Sequence, residues 1–219
     1  MLRGVNILYS SFKKASEEKQ RSIINAALNE FSKHPYEASS TNKIVKEAGI
    51  SKGLLFHYFG NKKNLYLFLF KYVLDKYTET ALADLDVTEP DIFKRYKQLL
   101  SINTYLAQEN PAFFQFISMV HLEKSTEVTS EIEALQNVKE NYNYDKFLSS
   151  IDYSLFKDEI DTKYAINTIK FVLDGISNRY NQQLKEANYD LDVLNTLFEE
   201  LAVEMDEYFQ FLKPLFYKL

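Results

Sequence analysis

The chain is 219 residues long, 46% apolar and 15% aromatic, with only 5 Gly and 4 Pro, a balance that favours long helices over many short strands with tight turns. It contains no Cys, which excludes disulfides and thiolate metal sites and fits a reducing compartment. The net charge of −5 is unevenly spread: residues 1–63 hold eleven Lys/Arg and five Asp/Glu, residues 64–219 fifteen and twenty-six. A basic head on an acidic body suits a chain of which only one part meets phosphates, with uneven surface decoration as the plain alternative. No segment offers the roughly 18 uncharged apolar residues of a membrane span, and the amino terminus lacks the apolar stretch and cleavage site of a secretory leader. The expected location is the cytoplasm.

Residues 1–15 read as a flexible, partly basic arm. Ser16 followed by Glu17 and Glu18 marks a helix start, a capping hydroxyl and then acids at the positive end. Ile24, Ala27, Leu28 and Phe31 recur on one face, and Pro35 ends the helix near His34. A short helix opens at Thr41 and closes at Ala48-Gly49, where Gly admits a left-handed turn. Ser51 caps another short helix, with Leu55 and Phe59 inward and Gly60 at its end. Asn61 caps a helix running to about Leu85, roughly 36 Å long by the α-helical rise and apolar on most sides.

Further helices follow: one from Pro90 in a first turn, Asn110-Pro111 to His121, Thr129 to Phe147, Asp161 to Ala187, and Asp190 to about Leu212. The expected fold is therefore all-α with about nine helices. It comprises the arm (1–15), a three-helix helix-turn-helix domain (16–60) and, reached through the long helix, a ligand-binding and dimerisation domain (61–219).

Two short helices joined by a Gly-bearing turn and braced by an earlier helix form a helix-turn-helix, whose second helix enters a major groove about 12 Å wide. Phosphate contacts are expected from Thr41 and Ser51 at helix starts, from Tyr58 and from Lys62, a cation that opposes the helix dipole where it stands. Lys52, Gly53, Leu54 and His57 are left to the base side, with Asn42 beside Thr41. Gly53 permits close backbone approach, while Leu54 suits either a thymine methyl or partial packing.

The pattern Thr41, Ile44, Ala48-Gly49, Ser51-Lys52-Gly53, Leu55, Tyr58-Phe59 and Lys62…Leu65 closely resembles the TetR family of bacterial regulators over roughly residues 16–70. The resemblance implies a homodimer on a pseudo-palindromic operator, usually a repressor released by a small molecule. By position it assigns Thr41, Ser51, Tyr58 and Lys62 to phosphates, and Lys52, Gly53, Leu54 and His57 to bases or adjacent backbone. Leu54 and the Phe56-His57-Tyr58 run depart from the usual pattern of the family, which touches the half-site sequence and not the fold.

In the body, Ile166, Ile169, Leu173, Ile176 and Tyr180, and then Leu191, Leu194, Phe198, Leu201, Met205, Tyr208 and Leu212, alternate spacings of three and four. Such seams suit helix pairing at about +20°, either within one chain or in a four-helix interface about a twofold axis. The expected dimer residues are Ile169, Leu173, Ile176, Tyr180, Leu194, Phe198, Leu201 and Met205. A pocket for an apolar or amphipathic ligand is expected among Phe68, Tyr72, Phe113, Phe116, Met119, Tyr142 and Phe171, with Asn103, His121 and Asp174 as polar groups; ordinary core is the alternative.

Enzymatic readings are weak. His34, His57 and His121 are far apart, and no Gly-rich phosphate loop or nucleophile elbow is present. No cofactor, catalytic residue or metal site is expected. The partners are duplex DNA, a second copy and an effector, with no membrane. A ligand-independent architectural DNA-binding protein of the same fold is the alternative function.

Overall fold

The structure is a computed structural model that describes residues 9–187 and 190–218, and their side chains apart from residues 138–143 and 191. Ten α-helices lie in this range: α1 (Ser10–Lys13), α2 (Glu17–Phe31), α3 (Thr41–Ala48), α4 (Lys52–Phe59), α5 (Lys62–Asp84), α6 (Ile92–Glu109), α7 (Pro111–His121), α8 (Thr129–Leu148), α9 (Thr162–Glu186) and α10 (Leu191–Phe216). A short 3-10 turn covers Tyr153–Leu155. The one β feature among the described residues is an isolated antiparallel bridge between Phe156 and Tyr217. The all-α expectation therefore stands.

The helix starts follow the capping residues. Ser16, Ser51, Asp161 and Asp190 each accept a main-chain N–H in the first turn of their helix, and Asn61 accepts from Asn64 at 2.8 Å. Pro90 is a correction: it lies before the helix, and Asp91 is the cap, accepting from Phe93 N at 2.9 Å. At the other end of the chain, α10 passes Leu212 and carries Pro214 in its last turn.

The chain divides into two compact units, one of residues up to Thr78 with Ala112–Glu140, the other of Glu79–Pro111 with Asn141–Leu219. The first unit thus extends past residue 60: it takes in most of α5, nearly all of α7 and the start of α8. Its core is strongly aromatic. Phe31, Tyr66 and Phe116 meet edge to face, and Phe12, Phe59 and Phe68 form a second group with Tyr9.

Residues 9–15 do not form a free arm. Phe12 is 1% exposed, the Tyr9 hydroxyl donates to the Asn64 carbonyl at 3.1 Å, and α1 packs on α4. A one-turn helix cannot hold itself together; burial of these two rings anchors it. Residues 1–8 lie outside the described residues.

In the second unit α9 packs on α10 and α10 on α6. Arg95 is fully buried, and its guanidinium donates to the carbonyls of Phe147, Ser149 and Val87, tying α6 to the end of α8 and the loop before α6. Buried Asp91 also binds Lys213 Nζ at 2.5 Å, fastening the start of α6 to the end of α10. Among the described residues no helix is long and apolar enough to cross a membrane.

The expected dimer seam is mostly internal. Ile169, Leu173, Ile176, Leu194, Leu201 and Met205 are buried in the second unit, while Phe198 is half-buried. Tyr180 is also half-buried, its hydroxyl donating to Glu204 at 3.0 Å. The strict three-and-four pattern is satisfied by the neighbouring helix of the same chain. The large apolar side chains left exposed on these helices, among the described residues, are others: Tyr164 and Phe171 on α9, and Val193, Val203, Tyr208, Phe211 and Leu215 on α10.

Candidate nucleic-acid interface

Ser40 opens α3. Its hydroxyl accepts from Lys43 N at 3.4 Å, and its own N–H donates to the buried carboxylate of Glu30 at 2.8 Å. The helix closes on Gly49 at φ 66°, ψ 31°, a left-handed conformation that a side chain would strain. Two residues later the Ser51 hydroxyl accepts from Leu54 N at 3.1 Å and starts α4. The Ser22 hydroxyl donates to the Ala48 carbonyl at 2.9 Å and so ties the turn to α2. These local bonds fix the angle between α3 and α4 before any partner is present.

Along α4 the inward residues are Leu55, Tyr58 and Phe59, and the outward ones are Lys52, Gly53 and His57, with Ser51 exposed at the cap. Leu54 is half-buried and packs against the core, so the packing alternative accounts for part of its side chain. Lys52 Nζ lies 5.8 Å from the Phe56 ring centroid and is otherwise open to solvent. Gly53 has no internal reason to be glycine: a Cβ there would meet only Ser51 Oγ, at 4.0 Å. Gly53 stands in the first turn of α4, where the fold itself makes no steric demand for glycine.

On α3, Thr41 is half-buried and Asn42 exposed. The exposed Lys43 and Lys46 stand on the same helix and border a groove with Asn29, Glu30, Lys33, His34 and Glu47. Sequence reasoning passed over these lysines, although the basic excess of the first 63 residues was the signal that pointed to them.

Two expected phosphate contacts are corrected. Tyr58 is 7% exposed, with Phe12 edge-on to its ring at 5.5 Å between centroids; a flexible arm would have left it open, but docked α1 covers it. Lys62 donates to the carbonyls of Tyr36, Glu37 and Ser39 at 2.8, 3.3 and 3.2 Å, with its ammonium 4.5 Å from the Tyr36 ring centroid. A cation in a first turn is disfavoured by the dipole, and here the loop carbonyls compensate it.

The expected ligand residues are divided between the two units. Phe68, Tyr72, Phe113, Phe116, Met119 and His121 belong to the first unit, and Asn103, Phe171 and Asp174 to the second. Phe116 is fully buried in the aromatic core, whereas Phe171 is 69% exposed. His121 and Asp174 are also exposed, His121 against the Ile117 carbonyl at 2.8 Å and Asp174 in an ion pair with Lys170 at 2.5 Å. Phe68 and Tyr72 stack at 6.3 Å, and Tyr72 meets Phe113 edge-on at 6.3 Å. The Tyr142 side chain lies outside the described residues.

A sequence profile of bacterial regulatory proteins, tetR family, matches residues 23–68, from α2 through the α3–α4 pair into α5. Over these residues the chain matches the TetR family. YuxN of Bacillus subtilis, an uncharacterized HTH-type transcriptional regulator, is 32% identical over 117 residues, covering 53% of this chain and 39% of YuxN. This chain thus spans about two-fifths of that relative's length. A tetR-family structure from Shewanella sp. PV-4 superposes with a TM-score of 0.63 at 18% identity, covering 93% of this chain and 100% of the other. The transcriptional regulator FadR from B. subtilis, solved with stearoyl-CoA, gives 0.58 at 20% identity over 83% of this chain and 97% of its own. At such identities the superpositions speak for a shared fold. The family comprises regulators and not enzymes.

Proposed function

We propose that this TetR-family chain is a homodimeric transcriptional repressor that binds a pseudo-palindromic operator and leaves it when an amphipathic ligand enters. The observation that carries the proposal is the outward face of α4: Ser51, Lys52, Gly53 and His57 are exposed on a helix whose direction is set by two serine caps and a left-handed glycine. A helix presented in this way fits a major groove, with Lys52 and the α4 start toward phosphates and His57 toward base edges. Lys43 and Lys46 add positive charge beside it.

Two such heads are needed to read successive grooves roughly 34–36 Å apart. The exposed apolar residues of α9 and α10 supply a face for pairing two copies. Gly175, where a Cβ would meet nothing within 4 Å, leaves room on α9 for close helix approach. The ligand class proposed is a long-chain acyl-CoA, on the strength of the stearoyl-CoA in the FadR structure and the aromatic richness of α5 and α7. Release requires that the ligand prefer the state unable to bind DNA; equal affinity for both states would shift nothing.

The decisive experiment is selection of duplexes from a random-sequence library by the full chain, followed by affinity measurements on Lys52→Ala and His57→Ala. A palindromic consensus whose binding falls in both variants, with the oligomer unchanged, supports the reading. Enrichment of no sequence would overturn it. Stearoyl-CoA added at fixed salt then tests the effector class by release from that duplex.

A further inference from the structure

Tyr36, in the loop between α2 and α3, is 3% exposed and bonded at every polar group. Its N–H donates to Glu123 Oε2 at 2.7 Å and its hydroxyl to Glu127 Oε2 at 2.7 Å. Its carbonyl accepts from Ser39 Oγ at 2.6 Å and from Lys62 Nζ at 2.8 Å. The ring meets Tyr66 edge-on at 5.3 Å. Both carboxylates come from the loop between α7 and α8, and Glu123 is held in place there: its other oxygen accepts from Lys124 N and Ser125 N at 3.0 and 2.9 Å. In the first turn of α8, Glu131 pairs with Lys63 of α5 at 2.6 Å. Burial and the bond to Glu127 push the Tyr36 phenol well above its ordinary range.

Glu127 is exposed and Glu123 half-buried, so burial of the carboxylates does not by itself demand these bonds. Two carboxylates converging on one residue fix orientation as well as contact. What they orient is the chain just before Ser40, the residue that starts α3. The helix α8 that follows this loop continues beyond Glu140 into residues of the second unit.

We propose that Glu123 and Glu127 are positioning residues for the α3–α4 pair: they hold Tyr36, and a displacement of the α7–α8 loop reaches α3 through Tyr36 as well as along α5. The functional consequence rests on the reading of α3–α4 as the DNA interface; the positioning itself does not. The test uses full-length Tyr36→Phe, Glu127→Gln and the double variant, with circular dichroism to establish that each is folded. Amide exchange over residues 36–48 and affinity for the library-selected duplex are then measured well below the melting temperature. Tyr36→Phe is expected to speed exchange in α3 and weaken duplex binding by about tenfold, the worth of one charge-assisted hydrogen bond, and Glu127→Gln, which keeps an acceptor but not its charge, to do both to a smaller extent. The double variant is expected to be no worse than Tyr36→Phe alone, because without the phenol hydroxyl the residue at 127 has nothing to accept. A folded chain that had lost only stability would keep its affinity, so unchanged affinity and unchanged α3 exchange overturn the proposal. If Tyr36→Phe fails to fold, Glu127→Gln, on an exposed side chain, decides alone. If the wild-type chain selects no duplex, the DNA reading fails instead, and α3 exchange alone sustains or overturns the positioning role.

Discussion

Phe12 stands edge-on to Tyr58, ring centroids 5.5 Å apart, so a residue of the first helical turn covers the side chain that the family pattern would offer to a phosphate. The two roles of Tyr58 separate cleanly by substitution. Tyr58→Phe keeps the ring contact and loses only the hydroxyl; operator affinity is expected to stay within about twofold, since no bond to that hydroxyl is needed for packing. Phe12→Ala is expected to cost about 3–5 kcal/mol of stability, as for other buried Phe truncations. Urea denaturation measures the second and duplex titration the first; a large affinity loss in Tyr58→Phe would return the hydroxyl to the DNA.

Gly53 sets stability against function. With open space at its Cβ position, Gly53→Ala is expected to stabilise the chain by roughly 0.5–1 kcal/mol through helix propensity. The same methyl would stand between α4 and a duplex, so affinity is expected to fall at least about tenfold while the denaturation midpoint rises. If both rise together, nothing approaches closely at this point.

Lys52 and Lys62 are both basic residues near a helix start, yet their surroundings differ. Lys52 is exposed, and Lys52→Ala is expected to reduce the slope of log affinity against log salt by about 1, the signature of one lost phosphate contact. Lys62 has its ammonium on three carbonyls, so Lys62→Met is expected to cost about 1–3 kcal/mol of stability and leave the salt slope in place. Fluorescence anisotropy across a salt series reads both slopes, and a reduced slope in Lys62→Met would put that side chain on the DNA after all.

How much of this was legible in the sequence depended on the range of the interactions. Caps and the left-handed glycine are local: Ser16, Gly49, Ser51, Asn61, Asp161 and Asp190 announce helix ends through bonds spanning a few residues, and the structure has those ends. The burial of Tyr58 was not legible, because it depends on Phe12, and a four-residue helix carries no periodic signal of its own. Lys62 looked misplaced only because the carbonyls that receive it come from residues 36–39. The α9 and α10 seams were found, but periodicity tells which residues face a helix and not whose helix it is.

That last ambiguity yields the prediction with the sharpest contrast. If α9 and α10 pair two copies, the contact must use what the chain leaves uncovered, namely Phe171 and Phe211, 69% and 65% exposed, and not Leu194 or Met205, which are 2% and 5% exposed. Phe171→Asp with Phe211→Asp is expected to give folded monomers, because a charge tolerated at an exposed site is costly only where a partner would bury it. Leu194→Ala is expected to cost about 2–5 kcal/mol of stability with the association state unchanged at temperatures where the chain is folded. Sedimentation velocity with urea denaturation measures both. Two reading heads on one duplex require the pair, so the doubly charged variant is also expected to lose affinity for a palindromic site far more than for a half-site. A stable dimer of that variant would move the interface off this face and leave its exposed aromatics to another partner.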